Sequence, residues 1–295
     1  MFGRKSNFIN GDWVEGEGEI ININPSDTND IIDSNSNATS DQLNDAINAA
    51  QIAQTKWEDV GIEKKANILH NIGSELINQS KEIGTLLSRE EGKTLPEGIG
   101  EVVRSGQQFQ YYAASALRQF GENIASTREG VSVELTREPI GVCGIISPWN
   151  FPIAIPIGGV LASLAAGKRV ILKPSQNAAA TAHVISKCLW KAGIPKDAFY
   201  FLPCKEEILD NYLQSGNIFD AVILTGSNET AQFLLQRNPY LNLYAETGGK
   251  NATIVTALAD KEQAIVNVVN SAFGNSGQKC SATSLLILEK EVFQN

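Results

Sequence analysis

Residues whose types and spacing could do covalent chemistry crowd between Glu246 and Cys280 of this 295-residue chain. The thiol of Cys280 lies in Phe273-Gly274-Asn275-Ser276-Gly277-Gln278-Lys279-Cys280-Ser281. Glycine at 277 lets backbone and substrate approach closely, and Lys279 puts positive charge beside the thiol, which favours the nucleophilic thiolate. A carboxylate on a separate segment can serve such a thiol as general base, and Ala245-Glu246-Thr247-Gly248-Gly249-Lys250 offers Glu246. Taken alone, Cys280 fits a buried structural thiol equally well, because free cysteine packs as a small hydrophobe.

Three further stretches carry polar groups in constrained backbone. In Ser147-Pro148-Trp149-Asn150-Phe151-Pro152 two prolines fix the chain around Asn150, and a rigidly held amide can donate to a developing oxyanion. A turn that buries Trp149 and Phe151 explains the same residues. Leu172-Lys173-Pro174-Ser175-Gln176 follows an apolar run, yet no G-x-G-x-x-G fingerprint follows any expected strand. Thr225-Gly226-Ser227-Asn228-Glu229-Thr230 would present N–H groups and a hydroxyl toward a phosphate at a helix start; a plain N-cap at Ser227 is the alternative.

The elements that must position these groups follow from periodicity. An irregular, strand-bearing entry covers 7–38, with a hairpin over Ile9–Val14 turning at Asn10-Gly11 and a second strand ending before Pro25. Thr39-x-x-Gln42 is a capping box that starts a helix with Leu43, Ala46, Ile47, Ala50, Ala53 and Trp57 on one face. Helical regions follow over about 62–91, stopping at Gly92, and from Pro96 to about Gln119. Val131, Val133 and Leu135 alternate with polar residues, as in a half-exposed antiparallel strand whose edge needs a partner. From Ile140 on, strands at 141–147, 169–173, 199–203, 221–225 and 241–245 alternate with helices at about 154–166, 177–192, 206–214 and 227–236. Such alternation predicts an α/β fold with a doubly wound parallel sheet, whose ligands bind at the carboxyl ends of the strands. One more unit follows: strand 252–256, helix 260–272, the Cys280 loop, and strand 284–289.

Composition excludes several classes. The chain is 42% hydrophobic and 19% charged, with net charge −9, which argues against a nucleic-acid or anionic-membrane surface. Its four cysteines form no C-x-x-C pair, and with only His70 and His183 no metal-ligand cluster is expected. No apolar segment follows the positive charges of the amino terminus, and none reaches the length of a membrane span, so a reduced, cytoplasmic protein is expected.

Taken together, Glu-Thr-Gly-Gly-Lys at 246–250, Gly-Gln-Lys-Cys at 277–280 and Pro-Trp-Asn-Phe-Pro at 148–152 resemble the aldehyde dehydrogenase superfamily along the whole chain. The resemblance implies Cys280 as nucleophile, Glu246 as general base, and Asn150 with the Cys280 N–H as oxyanion hole. It implies NAD or NADP as cofactor, with Lys173 and Gln176 at the adenosine ribose, Gly226 and Ser227 at the pyrophosphate, and Ser175 and Trp149 on the same side. NAD-preferring members commonly carry Glu at the position of Gln176; a carboxylate would repel a 2′-phosphate and Gln would not, so the cofactor stays open between the two. Ala231 stands where the family often has glycine. Ser88–Glu97 and Ile23–Thr28 look like 2-oxoglutarate-semialdehyde dehydrogenases, whereas the stretches around Glu246 and Cys280 look like 1-pyrroline-5-carboxylate (glutamate semialdehyde) dehydrogenases. Both imply a small-molecule aldehyde bearing a distal carboxylate, and because the second set contains the Cys280 loop, glutamate 5-semialdehyde is expected ahead of 2-oxoglutarate semialdehyde. Ser281 and Phe151 fall on the substrate side, with Ser281 as a local cap the bland alternative. The implied organisation is a nucleotide-binding domain over 1–120 and 140–247, a homo-oligomerisation hairpin over 121–139 and part of a catalytic domain over 248–295. Family members continue beyond this endpoint, so the chain is expected to be the first part of such an enzyme. A fold without turnover, or a cysteine hydrolase without cofactor, are the competing functions; the lack of a His partner weighs against the hydrolase.

If Cys280 is the activated thiol, brief treatment of the folded protein with iodoacetamide should label it well before Cys143, Cys188 and Cys204. Peptide mass spectrometry reads the order, and equal labelling of all four rules the assignment out.

Overall fold

The computed structural model of the chain describes residues 7–52, 57, 59–118, 121–213 and 219–293. The amino-terminal residues read for a leader, Ala53 of the first apolar stripe, and the expected helix ends at Gln119 and Gln214 lie outside them.

The entry is strand-rich: β1 Asn7–Ile9, β2 Asp12–Val14, β3 Glu17–Ile23 and β4 Ile31–Asn37. The β1–β2 turn has positive φ at Asn10 (51°) and Gly11 (90°), which suits an Asn-Gly hairpin. Helix α1 (Ser40–Ile52) opens on the expected capping box, in which Thr39 Oγ1 accepts from Gln42 N and Gln42 Oε1 accepts from Thr39 N, both at 3.1 Å. The single helical region expected over 62–91 is two helices, α2 (Ile62–Asn78) and α3 (Ser80–Glu91). Gln79 breaks them with φ −95° and ψ 10°, and the apolar periodicity runs on through the break.

Gly92 ends α3 at φ 92°, which glycine takes without steric cost. The chain reverses at once into α4 (Leu95–Ser115), where Glu97 Oε2 accepts from Thr94 N at 3.1 Å. The two helices cross closely: a Cβ added at Gly98 would lie 2.6 Å from the Gly84 carbonyl oxygen. This crossing sets the residues at the end of α3 against the first turns of α4. The hairpin β5 (Gly121–Ile124) and β6 (Val133–Thr136) forms its own antiparallel pair, with Ile124, Val133 and Leu135 exposed.

The remaining elements are β7 (Val142–Ile146), α5 (Ala154–Ala165), β8 (Arg169–Lys173), α6 (Ala179–Lys191), β9 (Phe199–Phe201), α7 (Glu206–Leu213), β10 (Ala221–Gly226), α8 (Asn228–Arg237) and β11 (Leu243–Thr247). Strands β11, β10, β7, β8 and β9 pair in that order and in parallel. The β1–β2 hairpin continues the sheet antiparallel to β9, with Phe8 opposite Phe201, an extension the sequence pattern did not predict. Alternate residues feed two cores, as a doubly wound sheet requires: Val170, Leu172, Phe199 and Phe201 join the core under α2, α4, α5 and α6, while Ile171 and Tyr200 join the one under α1, α7 and α8. Strands β12 (Asn251–Val255) and β13 (Thr283–Leu288) form a separate parallel pair connected through α9 (Lys261–Phe273). Among the described residues no helix is long and apolar enough to cross a membrane.

Candidate active site

The carboxyl ends of β7, β8 and β10 open into one cleft of about 580 Å³. The sheet register forces this, since Ile146 pairs with Lys173 and with Leu224 across the three strands. Trp149, Lys173, Ser175, Gln176, Gly226 and Ser227, the residues expected on the cofactor side, all line it. Ser227 caps α8: its Oγ accepts from Thr230 N at 3.0 Å. The same hydroxyl lies 3.2 Å from Thr230 Oγ1 and hydrogen-bonds the Glu229 carboxylate. Ser175 Oγ accepts from Asn177 N at 3.3 Å, and Gln176 Nε2 donates to Asn37 Oδ1 at 2.6 Å, so the carboxamide is held from the β4 side. Two lysines, Lys173 and Lys205, and two carboxylates, Glu206 and Glu207, put both signs of charge on the walls. The donor set of hydroxyls, amide, lysine and a helix amino terminus suits a sugar–phosphate ligand.

The Asn150 segment is fixed on both sides. Asn150 Nδ2 donates to the Gln278 carbonyl at 2.7 Å, and Trp149 Nε1 donates to Gln278 Oε1 at 2.7 Å. From below, Lys93 Nζ donates to the Asn150 main-chain carbonyl at 2.7 Å and to Glu101 Oε2 at 2.8 Å. The same ammonium lies 4.2 Å from the centroid of the Phe151 ring, so Phe151, expected on the substrate side, packs on a buried cation. Glu101 Oε1 accepts from Ile153 N and Ala154 N, each at 3.0 Å, at the start of α5, where a carboxylate meets unpaired helix N–H groups.

The Cys280 loop reaches this platform through left-handed backbone. Asn275, Ser276 and Gly277 have φ 56°, 56° and 73° in succession. Asn275 N donates to Glu97 Oε1 at 2.7 Å, and that bond foremost holds the Glu97 carboxyl below its ordinary range. The buried Asn275 side chain lies within 3.4 Å of Glu91 Oε1 and within 3.3 Å of the carbonyls of Asn150 and Gln278. Beyond Gln278 the loop is open. Cys280 is the exposed one of the four free cysteines, and Ser281 is exposed beside it. Burial raises the thiols of Cys143 and Cys188 and pushes Cys204 up to about 11, which disfavours their thiolates.

Glu246 is exposed at the end of β11, opposite Thr225 of β10. Asn251 follows shortly after and donates through Nδ2 to the Cys280 carbonyl at 2.6 Å, joining the Glu246 segment to the Cys280 loop. The structure thus gathers the residues expected on the cofactor side in one cleft and ties the Asn150 and Cys280 segments together at its rim. Glu246, Cys280 and Ser281 do not line that cleft. Sequence reasoning assigned no role to Lys93, Glu91, Glu101, Asn251, Asn275 or Gln278. The available signal was Glu90-Glu91-Gly92-Lys93, a charged run between two apolar helices, which reads as a solvated turn until the α3–α4 crossing buries it.

A family model described as "Aldehyde dehydrogenase family" matches residues 13–295. The chain is 36% identical over 294 residues to an alpha-ketoglutaric semialdehyde dehydrogenase of Bacillus subtilis, covering 98% of this chain and 60% of that protein. It is 32% identical over 293 residues to a 1-pyrroline-5-carboxylate dehydrogenase of Staphylococcus aureus, covering 97% and 57%. Among solved structures, a betaine aldehyde dehydrogenase from Staphylococcus aureus in complex with NAD+ superposes with a TM-score of 0.93 at 26% identity, covering 98% of this chain and 58% of that one. The chain therefore spans about 60% of the length of the relatives it matches.

The buried charges beneath Asn150 make stability depend on pH. Burial pushes the Glu91 carboxyl up to about 7, with Lys93 opposing the rise and Glu101 and Glu97 adding to it. Between 4.5 and about 7 the folded chain keeps a proton that the unfolded chain has released. The contribution is fully present below the unfolded value and is lost as pH rises through about 7. Urea unfolding across this window should show stability falling by up to about 1.4 kcal/mol per pH unit from this one group. Glu91→Gln should flatten that slope, and an unchanged slope would contradict the burial of an ionisable Glu91.

Proposed function

The chain belongs to the aldehyde dehydrogenase family, and from that premise we propose that it carries the machinery of an NAD(P)-dependent oxidation of a carboxylate-bearing semialdehyde to the acid. One observation supports this above the rest: the Asn150 amide is bonded to the Gln278 carbonyl, two residues before an exposed Cys280, at the rim of a cleft suited to a dinucleotide. In this reading the Cys280 thiolate attacks the aldehyde carbon and forms a carbon–sulfur bond. The Asn150 amide and the Cys280 N–H stabilise the oxyanion that develops. Lys173, Gln176, Ser175, Gly226, Ser227 and Trp149 would hold the cofactor, whose nicotinamide, when bound, accepts the hydride and leaves a thioester on Cys280. Glu246 takes a proton from water, which adds to the thioester and releases the acid and the thiol. Glu246 is exposed near the end of β11, where solvent can supply that water.

The exposed β5–β6 hairpin is read as a homo-oligomerisation arm, since its unpaired edges and apolar side chains suit a second copy. Residues up to 120 and 140–247 form the nucleotide-binding domain in this reading, and 248–295 belong to the catalytic domain. The Gln176 carboxamide brings no negative charge to a 2′-phosphate, so NADP is accepted beside NAD. Its bond to Asn37 makes Gln176→Glu a double change, because a carboxylate there also loses a donor to Asn37 Oδ1.

Two observations divide the semialdehydes. The Cys280-Ser281 loop favours glutamate 5-semialdehyde, and the 36% identity to the Bacillus subtilis enzyme favours 2-oxoglutarate semialdehyde. Reduced-nicotinamide formation by the full-length protein, followed with each semialdehyde and with propanal, tests the reading. Either semialdehyde should outrun propanal. Ser281→Ala should raise KM for glutamate 5-semialdehyde about tenfold, one hydrogen bond to a charged group, and leave propanal unchanged. Propanal as the better substrate sinks the semialdehyde assignment; equal effects on both make Ser281 structural.

A further inference from the structure

We propose that Lys93 is a positioning residue for the oxyanion amide of Asn150, and that Asn275 carries the same anchor into the Cys280 loop; the proposal rests on the roles given above to Asn150 and Cys280. The side chains of Lys93, Glu91 and Glu101 are 0%, 0% and 2% exposed. A buried ammonium must satisfy its donors, and Lys93 does so on Glu101 and on the main-chain oxygen of Asn150 itself, with the Phe151 ring closing the shell. Glu91 stands 3.9 Å from the ammonium and adds a second counter-charge only once it ionises, above about pH 7.

Stability alone does not account for this arrangement. Well-packed apolar side chains usually replace a buried ion pair without loss, because desolvation consumes most of the Coulombic gain. What apolar side chains cannot do is hold a carbonyl at a fixed point. Glu101 anchors the chain just after Asn150 through Ile153 N and Ala154 N, Lys93 anchors Asn150, and Asn275 touches Glu91, Asn150 and Gln278 together. Asn150 Oδ1 is buried and has no hydrogen-bond partner among the described residues, so the amide is held in an orientation its own oxygen does not favour. Its Nδ2 is spent on Gln278 by one proton and keeps the other for a ligand. The anchors supply the constraint that keeps that proton aimed.

Two reactions of Cys280 separate positioning from structural support. Acylation by p-nitrophenyl acetate passes through an oxyanion; alkylation by iodoacetamide does not. In the full-length protein, Asn150→Ala should slow acylation and spare alkylation, and failure to do so defeats the oxyanion reading itself. Given that control, the paired variant Lys93→Met/Glu101→Gln, assayed below about pH 7 where Glu91 keeps its proton and no lone charge is left buried, should slow acylation by about 10–100-fold with alkylation unchanged. Asn275→Gly removes no charge and suits φ 56°, and should show the same split more weakly. If the paired variant does not fold, Asn275→Gly decides. Wild-type acylation, or equal slowing of both reactions, in the variant that decides overturns the proposal.

Discussion

Much of this molecule follows from the need to satisfy one buried ammonium. Lys93 sits between the end of α3 and the first turns of α4, where no water reaches its side chain. Its acceptors are a carboxylate nearly two helical turns into α4 and a carbonyl in the loop after β7. Those two bonds hold the helical layer against the carboxyl edge of the sheet. The Gly84–Gly98 crossing brings α3 and α4 close enough for this, and the left-handed turn at Gly92 lets the chain reverse between them. The loop bearing Cys280 then docks on the same platform through Asn275 and Gln278 rather than through apolar packing. Asn275 and Gly277 tolerate the left-handed region, Gln278 N closes the turn on the Asn275 carbonyl at 2.9 Å, and the bonds to Glu97, Asn150 and Trp149 offset the strain that Ser276 adds.

The cleft beside this platform is built differently. Its walls are strand ends and helix starts, placed by sheet register, and several of its polar side chains are engaged with protein neighbours. Ser227 is both a helix cap and a cleft-lining hydroxyl. Gln176 is both a cleft residue and a tie to Asn37 on β4. Such double use fixes these two side chains before any ligand arrives, which lowers the ordering cost of binding to them.

The sheet was legible in the sequence because its strands are short, continuous apolar runs, and each expected strand from 141 to 245 appears within two residues of its place. The capping box at Thr39 and the Asn10-Gly11 turn were legible for the same reason: their signals are local. Strand β4 was not, since Asp33-Ser34-Asn35-Ser36-Asn37 carries little strand propensity and is held by pairing with β3. The break at Gln79 was hidden by an apolar stripe that runs through both helices. At the site, residues with an intrinsic chemistry stood out, Cys280, Glu246 and Asn150 among them. The residues that hold them did not, because Lys93, Glu101 and Asn275 are ordinary polar side chains until distant segments bury them together. The exposed apolar residues of β12, α9 and β13, such as Ile254, Ile265 and Leu286, belong to a chain that spans about 60% of its relatives' length.

The central claim is that the Asn150 amide, held from below by Lys93, faces the carbonyl carried by Cys280. Carbon-isotope-edited infrared spectroscopy of an acetyl group placed on Cys280 measures this directly, because a hydrogen bond to a thioester carbonyl lowers its stretching frequency. The account predicts a lower frequency in the wild-type protein than in Asn150→Ala, with the paired Lys93→Met/Glu101→Gln variant broadened or shifted toward the latter. The same frequency in wild type and Asn150→Ala would contradict it.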